Sequence, residues 1–314
     1  MNKIKILLSL FAALVLTGSL SAQTLTEKYN EAGGAMQAKD FAKAATLFEQ
    51  VIQEGAEAGP EAAELVANAQ RFLPQSLMMQ GQGLAGQQKF AEAVAALTKA
   101  RDRAELYGNM QVMRGAAQLI GRVYFAQGAD AYNNERYAEA VDIFAQGFAA
   151  DETNTDMALN LARSYDKLDS LAKAVEVYSS IIALEGRHSR YAEAVATAKE
   201  EQELAVLAPA SVAAGEGDLD EVIRLTDLIP ENAAGALLRV QVANNKKNYR
   251  SVIEYAPTAA ELQTDDAKKS DVYFYLGAAY QNTDNKAKAI ESFRKVTAGD
   301  NVTAARNLVS ELQK

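Results

Sequence analysis

Several short stretches of the chain hold residues whose types and spacing could do chemistry. Gly81-Gln82-Gly83-Leu84-Ala85-Gly86 reads GxGxxG. Such glycines let a backbone approach a pyrophosphate when a strand precedes them and a helix opens at them. Here the preceding run RFLPQSLMMQ reads as helix, so a dinucleotide cradle is not expected. Ser164 to Lys167 and Ser170 to Lys173 both read SxxK, a spacing that sets a Lys amine one helical turn from a Ser hydroxyl in acyl-transfer enzymes. The companion SDN, KTG and GxSxG elements are missing from the sequence. Acidic pairs such as Asp265-Asp266 and Glu200-Glu201 could supply two carboxylates for glycoside hydrolysis. On an acidic helical chain they read instead as solvated helix faces. Asp218-Leu219-Asp220 has no EF-hand loop around it, and His188, between Arg187 and Arg190, reads as an exposed turn residue. None of these stretches brings the partners its chemistry requires, so no catalytic residue is expected.

Composition removes further classes. The 314 residues include no Cys and one His, which excludes disulfides, thiolate metal sites, a catalytic thiol and a His-rich zinc site. No metal or cofactor is expected. Trp is absent, Pro occurs five times, and 49% of residues are apolar, a helix-favouring composition with enough apolar mass for a core. The formal charge is −9, which repels nucleic acid and anionic lipid and, if charge selects a partner, selects a basic one.

Residues 1–22 read as a secretory leader: Lys3 and Lys5, then an apolar run from Ile6 to Leu16, then small residues up to Ala22. Cleavage is expected after Ala22, with Ser21 as the alternative. Loss of Lys3 and Lys5 takes the charge from −9 to −11. The run is too short to span a membrane, which takes roughly 20 residues. No later segment is apolar enough, and without Cys a lipid anchor at the new terminus is excluded. The mature chain is therefore expected outside the cytoplasm, periplasmic or secreted.

Positioning of all these residues falls to internal repeats. FAKAATLFEQVI, FAEAVAALTKA, YAEAVDIFAQGF and LAKAVEVYSSII place Ala44, Ala93, Ala140 and Ala174 four residues before Phe48, Leu97, Phe144 and Tyr178. Looser copies centre on Val222 and Val252, and a clear one on Ala289 with Phe293. The small residue lets two helices approach, and the larger one fills the groove against the next pair. No single pair buries its apolar stripe, so pairs must stack. Anchor spacings of 49, 47, 34, 48, 30 and 37 residues imply extended helices or inserted turns. Turn signals fall at Ala38-Lys39-Asp40, Asn133-Asn134-Glu135, Lys167-Leu168-Asp169 and Asn282 to Asn285, with Asp or Asn placed to cap the next helix. Pro209 to Gly217 interrupts the helical period, so two divisions are expected, 23–208 and 209–314, unless the array is continuous.

The segment Asp271–Ala298, with Tyr273, Leu276, Gly277, Tyr280, Ala289, Phe293 and Val296, resembles the tetratricopeptide repeat family, as does Asp156–Glu185 with Leu161, Ala162, Tyr165, Ala174, Tyr178 and Ile181. Gly81 lies twelve residues before Ala93 as Gly277 does before Ala289, which places the GxGxxG glycine at the family's small-residue position. The resemblance implies an all-α, TPR-type helical-hairpin solenoid (right-handed superhelix) of about seven helix pairs, closed by a capping helix at Val302 to Gln313. It also implies a non-catalytic scaffold that binds a protein or peptide in a groove lined by the first helix of each pair. At the family's groove positions stand Tyr29, Asn30, Gln82, Phe125, Tyr132, Asn160, Arg163, Asp166, Gln241, Asn244, Phe274, Tyr275 and Gln281. A Lys/Asn/Arg carboxylate clamp is not matched, because Leu159 and Arg163 stand where Lys and Asn belong. A glycan-uptake protein with repeat helices would be expected to carry a lipid anchor and stacking Trp, and a hydrolase a cluster of perturbed titratable groups.

Overall fold

A computed structural model describes residues 20–314, with side chains from residue 23 onward; the leader reading of residues 1–22 lies outside the described side chains. The described residues form fifteen α-helices and two short 3₁₀ segments, with no strand among them. They make seven hairpins: α1 (Leu20–Gln37) with α2 (Phe41–Ala58), α3 (Ala63–Gly86) with α4 (Phe90–Leu106), α5 (Met110–Asn133) with α6 (Tyr137–Ala150), α7 (Thr155–Asp166) with α8 (Leu171–Ile182), α9 (Ala192–Glu216) with α10 (Leu219–Thr226), α11 (Ala233–Asn245) with α12 (Tyr249–Leu262), and α13 (Asp266–Asn282) with α14 (Lys286–Arg294). A last helix, α15 (Val302–Leu312), packs on α14 and covers the end of that stack. The chain divides into two compact units, residues up to Met157 and Ala158–Lys314, with the boundary inside the first turn of α7. Within each unit successive helices pack on one another, and first helices also touch the first helix of the next hairpin.

One local template builds every hairpin. Counting from the anchors Ala44, Ala93, Ala140, Ala174, Val222, Val252 and Ala289, the residue twelve earlier is Ala32, Gly81, Gly128, Ala162, Ala210, Val240 or Gly277, and all seven are buried. The residue five before each anchor is left-handed: Lys39, Gln88, Glu135, Asp169, Gly217, Lys247 and Asp284, with φ between 53° and 74°. The next residue's N–H reaches the carbonyl five back, as Asp40 to Ala35 and Asn285 to Tyr280 do at 2.9 and 2.8 Å. This is the Schellman closure of a helix end. Asp40, Asp218, Asn248 and Asn285 then accept an N–H of the following helix's first turn. Four residues after each anchor sits the filler Phe48, Leu97, Phe144, Tyr178, Thr226, Ala256 or Phe293, all buried. The repeat-core residues Ala44, Phe48, Ala93, Ala140, Phe144, Ala174, Tyr178, Gly277, Ala289 and Phe293 are buried, while Tyr280 is half-buried beneath Lys288.

The uneven anchor spacings come from helix length. α3, α5 and α9 run 24, 24 and 25 residues, against 12 for α7. Twelve extra residues lengthen a helix by about 18 Å, so the turns stay fixed while the far ends grow. The expected break at Pro209 is not present: α9 runs through it to Glu216 and ends at the left-handed Gly217. An interior Pro removes a helix hydrogen bond and costs about 3 kcal/mol. Val206, Ala210 and Ala213, buried on one face of α9, offset that penalty by packing.

Candidate functional site

First helices carry the polar and half-buried side chains that a partner could meet, and each unit opens a cleft there. In the first unit a cleft of about 650 Å³ lies between α5 and the α6–α7 turn. Arg122 and Phe125 enter it from α5, facing Asp151, Asn154 and Asp156. Phe125 is 40% exposed and rests edge-on against Phe144 at 6.2 Å between ring centres. Asn154 accepts the Met157 N–H and so starts α7. In the second unit a cleft of about 520 Å³ runs across α9, α11 and the start of α13. Leu207, Leu237 and Leu238 give it apolar walls, Ser211 and Gln241 polar ones, and Glu203, Asp265 and Lys268 the charges. The buried Gln263 amide ties the α12–α13 turn to the Ala233 carbonyl at 2.6 Å, closing one end.

The structure sorts the expected groove residues. Phe125 and Gln241 line the two clefts. Gln82, Asp166 and Gln281 are exposed on their first helices; Asn30, Tyr132, Asn160, Asn244, Phe274 and Tyr275 are half-buried. Tyr132 lies edge-on to Tyr137 at 5.3 Å, and Phe274 packs 5.7 Å from Phe293, so both rings also serve the hairpin interior. Tyr29 is a correction. It is 3% exposed, packed against Phe48 in a core with Leu65, Ala69 and Phe72, because the long α3 covers it.

Arg163 is the second correction, since it is held by its own unit rather than left exposed to a partner. Its guanidinium is bidentate to Glu201 of α9, with Nη2–Oε1 at 2.5 Å and Nε–Oε2 at 2.9 Å. The Tyr178 hydroxyl donates to the same carboxylate at 3.1 Å. Arg163→Ala leaves a half-buried carboxylate without its two guanidinium donors and with the Tyr178 hydroxyl alone. It is expected to cost about 1–2 kcal/mol in urea unfolding, between the exposed and the buried limits for ion pairs. A change within about 0.5 kcal/mol would show the pair to be a surface contact. Burial, and then the Glu201 charge, push the Tyr178 phenol well above the ordinary tyrosine value of 10.0. The folded state therefore keeps a proton that the unfolded chain gives up. Stability from this group is complete below pH 10 and falls as pH rises beyond it. Tyr178→Phe is expected to flatten the alkaline limb of an unfolding-midpoint profile.

The other chemical stretches resolve into structure. The GxGxxG run forms the last turns of α3, and a Cβ on Gly81 would lie 2.6 Å from Leu97 Cγ. Ser164 is buried and donates to the Asn160 carbonyl at 2.7 Å, while Lys173 lies over the Tyr165 ring. Asp218 caps α10, and His188 accepts the Arg190 N–H. Among the described residues no group of His, Cys, Asp and Glu is arranged for a metal ion, and no helix is long and apolar enough to cross a membrane. Sequence reading missed Leu207 and Ser211 because Pro209 stood between them. Counting twelve back from Val222 to Ala210 places both on the cleft side.

Tetratricopeptide repeat family models match residues 131–198 and 271–298. No curated protein sequence matches the chain. Among solved structures, a tetratricopeptide repeat protein from Parabacteroides merdae is 14% identical over 94% of this chain and 99% of its own, with a TM-score of 0.29. The TPR2AB domain of yeast Sti1, solved as an HSP90 complex, is 12% identical over 93% and 99%, with a TM-score of 0.31. The TPR domain of P58(IPK) is 12% identical over 92% and 97%, with a TM-score of 0.28. The two family matches fall on hairpins that follow the shared small-residue, left-handed-turn and filler template, so residues 131–198 and 271–298 are tetratricopeptide repeats.

Proposed function

We propose that the protein is a non-catalytic scaffold, exported from the cytoplasm, that binds a segment of a polypeptide partner on the faces of its first helices. The observation that carries this reading is the second-unit cleft. Its walls come from matching register positions on α9 and α11, three residues before and one after the small residue, namely Leu207 and Ser211 around Ala210 and Leu237 and Gln241 around Val240. A stacked repeat that turns the same positions outward presents a continuous contact surface. Accessible apolar side chains beside fixed polar ones suit peptide recognition. Export is supported by the leader pattern of residues 1–22, and the fate of the mature chain is periplasmic retention or release.

The test is capture from envelope extract with residues 23–314 as bait, beside folded variants Leu237→Glu with Gln241→Glu and, separately, Arg122→Glu with Phe125→Glu. A protein retained by the native bait and lost with either groove variant is the expected result. Identical capture by all three baits would remove the groove from the function.

A further inference from the structure

We propose that the cleft across α9, α11 and α13 takes a basic amphipathic segment, with its apolar side chains on the leucine wall and a Lys or Arg at Glu203. This rests on the scaffold reading and names the chemistry of the partner. Leu207, Leu237 and Leu238 already form an apolar wall. Leu204, one turn before Leu207 on the same face of α9, is 66% exposed. An exposed leucine beside three half-buried ones extends the apolar surface along α9, the kind of patch that a partner covers.

Charge selects the occupant. α9 carries Glu193, Glu200, Glu201, Glu203 and Glu216 against one cation, Lys199. Arg163 takes Glu201, and Glu185 takes Lys199. Glu203 on the cleft rim has no salt bridge among the described residues, and the opposite rim sets Asp265 beside Lys268, the only cation lining the cleft. Asp265 is itself engaged as the cap of α13 through the Lys268 N–H at 2.8 Å. An acidic segment would meet Glu203 and the acidic face of α9, while a basic one gains from both. Hydrophobic side chains alone would fill the wall and leave that carboxylate unused.

The experiment is fluorescence anisotropy with the mature chain and a labelled peptide of about four helical turns, with Leu and Lys at amphipathic spacing. A second peptide carries Glu at every Lys position. The Leu/Lys peptide is expected to bind and the Leu/Glu peptide to show no binding. Leu207→Ser with Leu237→Ser, and Glu203→Lys, are each expected to weaken binding about tenfold or more, as anchor residues do. Glu311→Lys, the same charge change on α15, is expected to leave it within about twofold. Unfolding midpoints for each variant show that the fold is kept. Equal binding of both peptides, or equal loss from Glu203→Lys and Glu311→Lys, overturns the proposal. If groove variants abolish envelope capture while the Leu/Lys peptide ignores the cleft, the scaffold reading stands and this chemistry falls.

Discussion

Phe293→Ala is expected to lower the unfolding free energy by about 3–5 kcal/mol. The ring is 1% exposed and fills the last hairpin together with Ala289, Val296 and Ala305. It lies flat against the α13 backbone at Gly277, where an added Cβ would stand 2.6 Å from Cδ1 and Cε1. Removing the ring therefore opens a void that two helix backbones cannot easily collapse into. The sixth hairpin shows another solution to the same crossing. There the small position is Val240 and the filler is Ala256, both fully buried. Volume has moved from one helix to the other. Adding Gly277→Val to Phe293→Ala should accordingly recover part of the loss, with a coupling of about 1–3 kcal/mol in a double-mutant cycle by urea unfolding. Strict additivity of the two substitutions would mean that the residues do not share one space.

Gly128→Ala is expected to destabilise by about 1–3 kcal/mol, although Ala is the better helix former. A Cβ at Gly128 would lie 2.6 Å from Phe144 Cε1 and 2.8 Å from Cδ1. Phe144 is fully buried and braced by Phe125, so the ring has little room to yield. Gly83→Ala is the control. It is also helical, has nothing within 4 Å of the added carbon, and should gain about 0.5–1 kcal/mol. Thermal unfolding of the two variants should move in opposite directions. A shift of the same sign would assign these glycines to helix propensity rather than to the helix crossing.

The contrast between those glycines marks how far the sequence could be read. The second helices were legible because Ala44, Ala93, Ala140, Ala174 and Ala289 carry a large residue one turn later. That pairing has a direct steric meaning at a helix crossing. The looser hairpins were harder, because Thr226 and Ala256 replace the large residue, and Val240 adds volume opposite Ala256. Complementary volume conserves the crossing and erases the pattern. Six left-handed turn residues are Lys, Gln, Glu or Asp rather than Gly, so nothing in their type announced the conformation. Groove positions were the least legible. Tyr29 stands at a groove register yet is covered by α3, whose length depends on where its apolar face finds partners. Arg163 stands at another and is claimed by Glu201, a residue 38 positions away on α9. Both outcomes depend on neighbouring hairpins, which a register counted within one hairpin does not contain.

The most direct test of partner docking on the first-helix faces is photo-crosslinking in the native envelope from two positions of the second unit. One crosslinking residue replaces Gln241 on the cleft wall of α11, and the other replaces the exposed Glu254 on α12, the second helix of the same hairpin. A discrete adduct from position 241 and none from position 254 is the expected result. Adducts from position 254 alone, or the same adducts from both, would contradict docking on the first-helix face.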